Sequence, residues 1–384
     1  MMFIIQTDRS VFKSSPTHAS QGQRALLWQN IDRRSQGPNV PPVDFSKLPA
    51  VAETVLPDTQ DLLSQLVATH QPRVIRGLVS GWPLVAAGRN SPQAVCDLIR
   101  RHSYEKPVTA FFGPPEIDGR FFYSDDLRGF NYEQRQLPLS QLLDRLLATV
   151  DQDRPESIYA GAVPVREHLA GLLTDNDLDA FDSDQERLVS LWIGNRSRTA
   201  PHWDLPHNIA CVAAGTRRFT LFPPEQLPNM YSGPLEFTPA GQPISLVDLH
   251  EPDFREFPRF AEALEHSQVA VLEPGDALFV PSMWWHHVEC LSPLGVMMNH
   301  WWREAEAYMF TPLFTLFHGL LSIRDMPAAE REIWRGVFDH YIFQTNGDPV
   351  AHLPEGARGV LGKMTRENVN RLRAHLIRSL GGKL

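Results

Sequence analysis

The sequence predicts a mainly β protein: an antiparallel sandwich or barrel over residues 156–303, with α/β elements before it and helices after it. Three observations carry this expectation. Short apolar runs follow one another across 156–303, bounded by Gly, Pro and Asn turns. Helical spacing of apolar residues falls outside that region. Prolines number 32 in 384 residues, which suits many turns and short strands and not a helical bundle.

In chain order, residues 1–45 are polar and irregular, end in Pro38, Pro41 and Pro42, and read as an N-terminal arm. A helical and strand region over 46–155 is expected to pack on the barrel. In it, Asp58 is placed to cap a helix carrying Leu62, Leu63, Leu66 and Val67. Pro72–Gly77 reads as a short strand closing on glycine. A second helix is expected over Pro92–His102, a strand over Val108–Phe112 and a third helix over Pro138–Val150. The Leu139, Leu142, Leu143, Leu146 and Leu147 stripe of that third helix is a core face. Strands are then expected at Leu188–Gly194, Asn208–Ala214, Arg217–Pro223, Val269–Leu272, Ala277–Pro281, His286–Leu291 and Val296–Arg303. Residues 304–384 turn helical again, with strongly apolar Tyr308–Leu321 and amphipathic Ala328–Tyr341 and Thr365–Leu380.

Composition narrows the function. Hydrophobic residues at 42% and charged residues at 21% exclude wholesale disorder. A net charge of −9 speaks against a nucleic-acid binder, which needs excess Lys and Arg to neutralise phosphates. Cys96, Cys211 and Cys290 lie far apart and form no C-x-x-C pair, so neither a zinc ribbon nor a disulfide scaffold is expected. That usage suits a reducing cytoplasm. No apolar run approaches the ~18 residues of a membrane span, and Asp8 and Arg9 interrupt the apolar start, so no membrane association and no secretion leader are expected.

The chemistry lies in Thr199-Ala200-Pro201-His202-Trp203-Asp204 and, about eighty positions later, Trp284-Trp285-His286-His287. On a strand or strand edge, residues i and i+2 share a side. His202 and Asp204 would then offer an imidazole and a carboxylate together, and antiparallel pairing can bring a distant histidine beside them. Two histidines and one carboxylate leave open positions on a metal, the facial set of non-haem Fe(II) oxygenases. Strand alternation alone does not choose between His286 and His287.

Further motifs fall in order: Asn208; Gly215-x-Arg217-Arg218-x-x-Leu221-Phe222-Pro223-Pro224; Pro274-Gly275-Asp276; Pro281; and Asn299-x-Trp301. With the histidine motifs, they resemble the Jumonji-C type of cupin-fold 2-oxoglutarate oxygenase. They are similar to the branch that includes the asparaginyl hydroxylase acting on the hypoxia-inducible transcription factor. The likeness covers roughly 156–303 and weakens back to Pro57. It implies a double-stranded β-helix (cupin, or jelly-roll) core, with Fe(II), 2-oxoglutarate and O2 as cofactor and co-substrates. It implies His202, Asp204 and His286 as metal ligands, His287 being the runner-up, and a second-sphere or structural place for His207 and His300. Arg217 falls at the basic anchor for the far carboxylate of oxoglutarate. Alternation supports it, since Arg217, Phe219 and Leu221 share the apolar face, where an unpaired charge is costly.

Thr199 and Tyr159 resemble the hydroxyl donors of that carboxylate site, Asn208 and Asn299 the amides near the iron-bound end, and Trp301 a pocket wall. The implied reaction is hydroxylation of a protein side chain or small molecule, coupled to decarboxylation of 2-oxoglutarate to succinate; Asp204 speaks against halogenation and for hydroxylation, or for demethylation by hydroxylation at an N-methyl group. Trp203 and Trp284 are either substrate-packing residues at the mouth or core. Relatives dimerise through a C-terminal helical segment, so a homodimer through those helices is expected. Two other readings keep the same residues: a non-oxidative Zn or Mn cupin acting as isomerase or hydrolase, and a non-catalytic ligand-binding cupin.

Overall fold

The computed structural model describes residues 42–54, 62–181, 185–239 and 241–381. Asp58 and residues 1–41 of the expected arm lie outside them. Two compact units are distinguished, one ending at Arg303 and the other beginning at Glu304.

The first unit is built on two sheets. Its strands are β1 (Glu53–Thr54), β2 (Arg73–Ile75), β3 (Pro107–Gly113), β4 (Arg120–Phe121), β5 (Glu133–Pro138), β6 (Ser157–Pro164) and β7 (Leu188–Gly194), followed by β8 (Arg198–His202), β9 (His207–Ala214), β10 (Arg217–Phe222), β11 (Gln268–Leu272), β12 (Ala277–Val280), β13 (Trp285–Cys290) and β14 (Gly295–Trp302). The larger sheet runs β1-β2-β12-β9-β14-β7-β6-β3-β5 and the smaller β11-β10-β13-β8-β4. Pairing is antiparallel except at β1–β2 and β4–β8. This is the jelly-roll arrangement expected, and the larger sheet reaches back to residue 53.

Alternation sorts the side chains of the larger sheet. Ala210, Val212, Leu278, Val280 and Met297 point between the sheets and meet Phe219, Leu221, Ala270 and Leu272 of the smaller one. Their neighbours Ile209, Cys211, Phe279, Val296, Met298 and Trp302 point the other way, into a second core. Helices α1 (Leu62–Thr69), α2 (Pro83–Asn90), α3 (Pro92–His102) and α4 (Leu139–Thr149) supply the other half of that core. A sheet buried on both faces reads as near-continuous apolar text, and β9 and β14 are buried along their whole length.

Local chemistry sets the helix ends. Ser91 accepts the Ala94 N–H (3.1 Å) and Pro92 opens α3, so its start coincides with expectation. The expected leucine stripe of α4 is buried at Leu139, Leu142, Leu143 and Leu146. This unit also carries two short α-helices, α5 (Val165–His168) and α6 (Phe260–Glu265), among its described residues.

The second unit carries α7 (Leu313–Ser322), α8 (Ala328–Tyr341) and α9 (Arg366–Gly381). Helix α7 starts five residues later than the apolar text suggested, because Pro312 cannot continue a helix from its N-terminal side and stands just ahead of Leu313. Phe310, Phe314, Ile333, Trp334, Ile342 and Phe343 are exposed. No helix of the described residues is long and apolar enough to cross a membrane.

Candidate metal centre

His202 is the last residue of β8 and pairs with His286 of β13. Val288 pairs with Thr199, so β8 carries one residue more than β13 over this stretch, a bulge at Ala200–Pro201. The extra residue turns both Thr199 and His202 to the inner side. Asp204 lies just past the strand, so its carboxylate reaches the same point from a loop and not from strand alternation. That loop is tied down by the Met283 N–H, which donates to the Asp204 carbonyl (2.8 Å).

One ligand atom from each of His202, Asp204 and His286 lies within 4.8 Å of the others. The His202 and His286 rings are 4.2 Å apart, and His286 Nε2 stands 3.5 Å from Asp204 Oδ2. His202 Nδ1 donates to the Ala200 carbonyl and His286 Nδ1 to the Trp284 carbonyl, both at 2.9 Å. A carbonyl only accepts, so each Nδ1 carries the proton and each Nε2 presents a lone pair. Burial, aided by the nearby His286, pushes the His202 imidazolium down to about 4, which keeps the ring neutral at pH 7. Burial opposes ionisation of Asp204, but the adjoining His286 and His202 rings more than offset it and hold its carboxyl below the usual range. Two imidazole Nε2 atoms and a carboxylate suit a divalent first-row metal, iron included.

Strand register also separates the two adjacent histidines. His286 faces Leu221 on the inner side, whereas His287 faces Thr220 on the outer side, beside Glu289. Burial lowers His287 to about 3.

Arg217 stands opposite Cys290, two residue pairs along the same inner face from the Leu221–His286 pair. It is 3% exposed, and its Nε and Nη2 have no hydrogen-bond partner. Gly295 gives it room: a Cβ there would strike Cys290 Sγ and stand 3.5 Å from Arg217 Nη2. Tyr159, on β6, lies near Thr199 and Arg217; burial raises its phenol, while Arg217 and Thr199 oppose that rise. Asn208 faces Trp301 across β9 and β14, and Asn299 faces Ala210. Asn208 Oδ1, Asn299 Nδ2 and Trp301 Nε1 are buried without partners. The inner wall thus combines a metal-ready triad, a bare guanidinium and three unsatisfied neutral polar atoms.

Other expectations sort differently. Trp203 and Trp284 are buried, and Trp284 Nε1 donates to the His70 carbonyl (3.1 Å), so they belong to the packed body. His207 accepts the Ser282 N–H (3.1 Å) and packs on Phe279 and Trp302; His300 packs on Phe181 and Trp82. Both lie on the helix-covered side, away from the triad. Trp192 was not singled out from the sequence. Its Nε1 donates to Asn299 Oδ1 (2.6 Å), and its ring meets Tyr159 and Trp301. Only its place on an inward-alternating strand hinted at this.

Parts of the chain are similar to curated proteins. A stretch of 160 residues (39% of this chain, 29% of the relative) is 29% identical to "Lysine-specific demethylase JMJ31" of Arabidopsis thaliana. Over 122 residues (31% of this chain, 24% of the relative) identity is 36% to human "HSPB1-associated protein 1". Over 109 residues (28% and 31%) it is 33% to chicken "tRNA wybutosine-synthesizing protein 5". The aligned stretches thus span less than a third of these curated relatives. The model of the cupin-like domain matches residues 59–308, well over half of the chain. The protein therefore belongs to the cupin-like domain family, of the Jumonji-C type that its motifs resemble.

Proposed function

We propose that the protein is an Fe(II)- and 2-oxoglutarate-dependent dioxygenase that hydroxylates a protein side chain or a small molecule, converting 2-oxoglutarate to succinate and CO2 with O2. The observation that carries this reading is Arg217. A buried guanidinium with unpartnered nitrogens is costly unless an anion comes to it, and a cupin using its metal without oxoglutarate has no need of one there. The relatives named for demethylation and wybutosine synthesis support an enzyme.

His202, Asp204 and His286 would hold the iron, which when bound supplies the activation of O2. Arg217, with the Thr199–Tyr159 hydroxyl pair, would hold the far carboxylate of oxoglutarate bidentately. Asn299 Nδ2 and Trp301 Nε1 offer donors, and Asn208 Oδ1 an acceptor, along the wall between. The two apolar faces around them exclude water. The net charge of −9 favours a protein or small-molecule substrate over a nucleic acid. We place the enzyme in the cytoplasm, which suits its three free cysteines. We further propose a homodimer through the C-terminal helices, on the strength of their exposed aromatic and aliphatic residues; a monomer by light scattering at micromolar concentration rejects it.

The test is anaerobic addition of Fe(II), ascorbate and 2-oxoglutarate. A weak visible charge-transfer band is expected, followed by succinate once O2 is admitted. Asp204→Ala removes both. Turnover with Zn or Mn and no O2 would point to the non-oxidative cupin, and no band and no succinate from iron-loaded protein rejects the oxygenase.

A further inference from the structure

Asn299 is fully buried, and the two ends of its amide fare differently. Oδ1 accepts the Trp192 indole N–H at 2.6 Å, while Nδ2 has no partner. An indole nitrogen only donates, so the reversed amide would set donor against donor. The indole is itself held. Its six-membered ring lies against Gly161, where a Cβ would come within 2.7 Å of Cζ3, and Gly161 sits at a register shift in β6 between Ala160 and Val163. Trp301 meets the indole edge-on at 5.6 Å and Tyr159 lies at 6.1 Å. Trp192 therefore touches three inner-wall residues, and its N–H decides which end of one of them is left free.

We propose that Trp192 is a positioning residue: through its hydrogen bond to Asn299 it locks the amide so that an N–H donor, not a carbonyl, faces the co-substrate pocket. The proposal rests on the oxygenase reading, in which that pocket receives the oxygen-rich end of 2-oxoglutarate. With Trp301 Nε1 the wall then presents two neutral donors suited to oxyanion ligands.

The experiment titrates 2-oxoglutarate into Zn(II)-loaded protein by calorimetry, so that no turnover is read. Trp192→Phe keeps the ring packing and loses the N–H. Its affinity for 2-oxoglutarate is expected to fall about tenfold, the scale of one hydrogen bond to a charged group. Asn299→Ala should fall similarly, and adding Trp192→Phe to it should change nothing further, because the indole acts through the amide. Asn299→Asp keeps the bond to Trp192 but turns a carboxylate oxygen to the pocket, so it should bind at least tenfold more weakly than Asn299→Ala. Wild-type affinity in Trp192→Phe, or additive losses in the double variant, overturns the positioning role. Should Trp192→Phe not fold, the Asn299 pair decides: Asn299→Asp binding as tightly as Asn299→Ala overturns the donor orientation. Wild-type protein that binds no 2-oxoglutarate overturns the oxygenase reading as well, whereas a binding wild type with an unaffected Trp192→Phe sinks only the present proposal.

Discussion

Strand β13 and its neighbour β10 carry polar groups on both faces, but the two faces treat them differently. On the outer side Glu289 accepts two hydrogen bonds from Arg218 (2.6 and 2.9 Å) and lies 2.6 Å from His250 Nε2. Arg218 also lies over the Phe45 ring, 3.6 Å from its centre. His287 Nδ1 and the Thr220 hydroxyl stay unpaired there, yet both are neutral and every charge in the cluster is matched. On the inner side Arg217, one residue from Arg218, keeps its Nε and Nη2 bare. Two adjacent arginines thus mark two uses of buried charge. Matched charge fastens one part of the fold to another, while unmatched buried charge is held at a cost to the fold.

The strongest way to break this contrast is to exchange each arginine for methionine. Arg217→Met should weaken 2-oxoglutarate binding about a hundredfold or more, as loss of a buried charge-assisted pair does, while the melting temperature holds or rises. Equal affinity in a titration would remove Arg217 from the anchor. Arg218→Met should do the reverse, costing roughly 3 kcal/mol because Glu289 is left buried and poorly paired, with oxoglutarate affinity kept. Denaturant unfolding at pH 7 measures it.

A pH series sharpens the same point. Burial alone would raise the Glu289 carboxyl, but His250 and Arg218 hold it at about 2 against its ordinary 4.5. The folded chain therefore binds fewer protons than the unfolded one between these values. This contribution, roughly 3 kcal/mol, is complete above about pH 4.5 and is lost as pH falls toward 2. Glu289→Gln should flatten the acid limb of stability measured from pH 6 to pH 3; a limb that stays as steep assigns it to other groups. The smallest effect expected is that of Gly295→Ala, about 1–3 kcal/mol of overpacking against Cys290. A variant of unchanged melting temperature would mean that Cys290 and Arg217 yield freely.

Elements with a plain period were legible in the sequence: the leucine stripe of α4, the serine-capped α3 and the strands between turn residues. Helix α2 was not. Gly88 lowers its helical signal because a Cβ there would collide with the Ala213 carbonyl of β9, so close approach outweighs propensity. Strand β5 reads as polar Glu-Gln-Arg-Gln because it is the edge of the sheet and, among the described residues, pairs with β3 alone. At the centre, residue types suggested the triad, but its geometry depends on the β8 bulge, which no local pattern announces. Choosing His286 over His287 needed family resemblance first and strand register second. The Trp192–Asn299 bond joins residues 107 apart and has no local signature.

Strand β14 has a consequence for how the protein can be studied. Met297, Asn299 and Trp301 alternate with Met298, His300 and Trp302, so a partition one backbone thick faces the space between the sheets on one side and the helical core on the other. A co-substrate held on the inner side, as proposed, would steady the same strand that the helices pack on. Heat resistance of the chain should therefore climb with ligand concentration, and candidate co-substrates can be ranked by thermal shift before any reaction product is known.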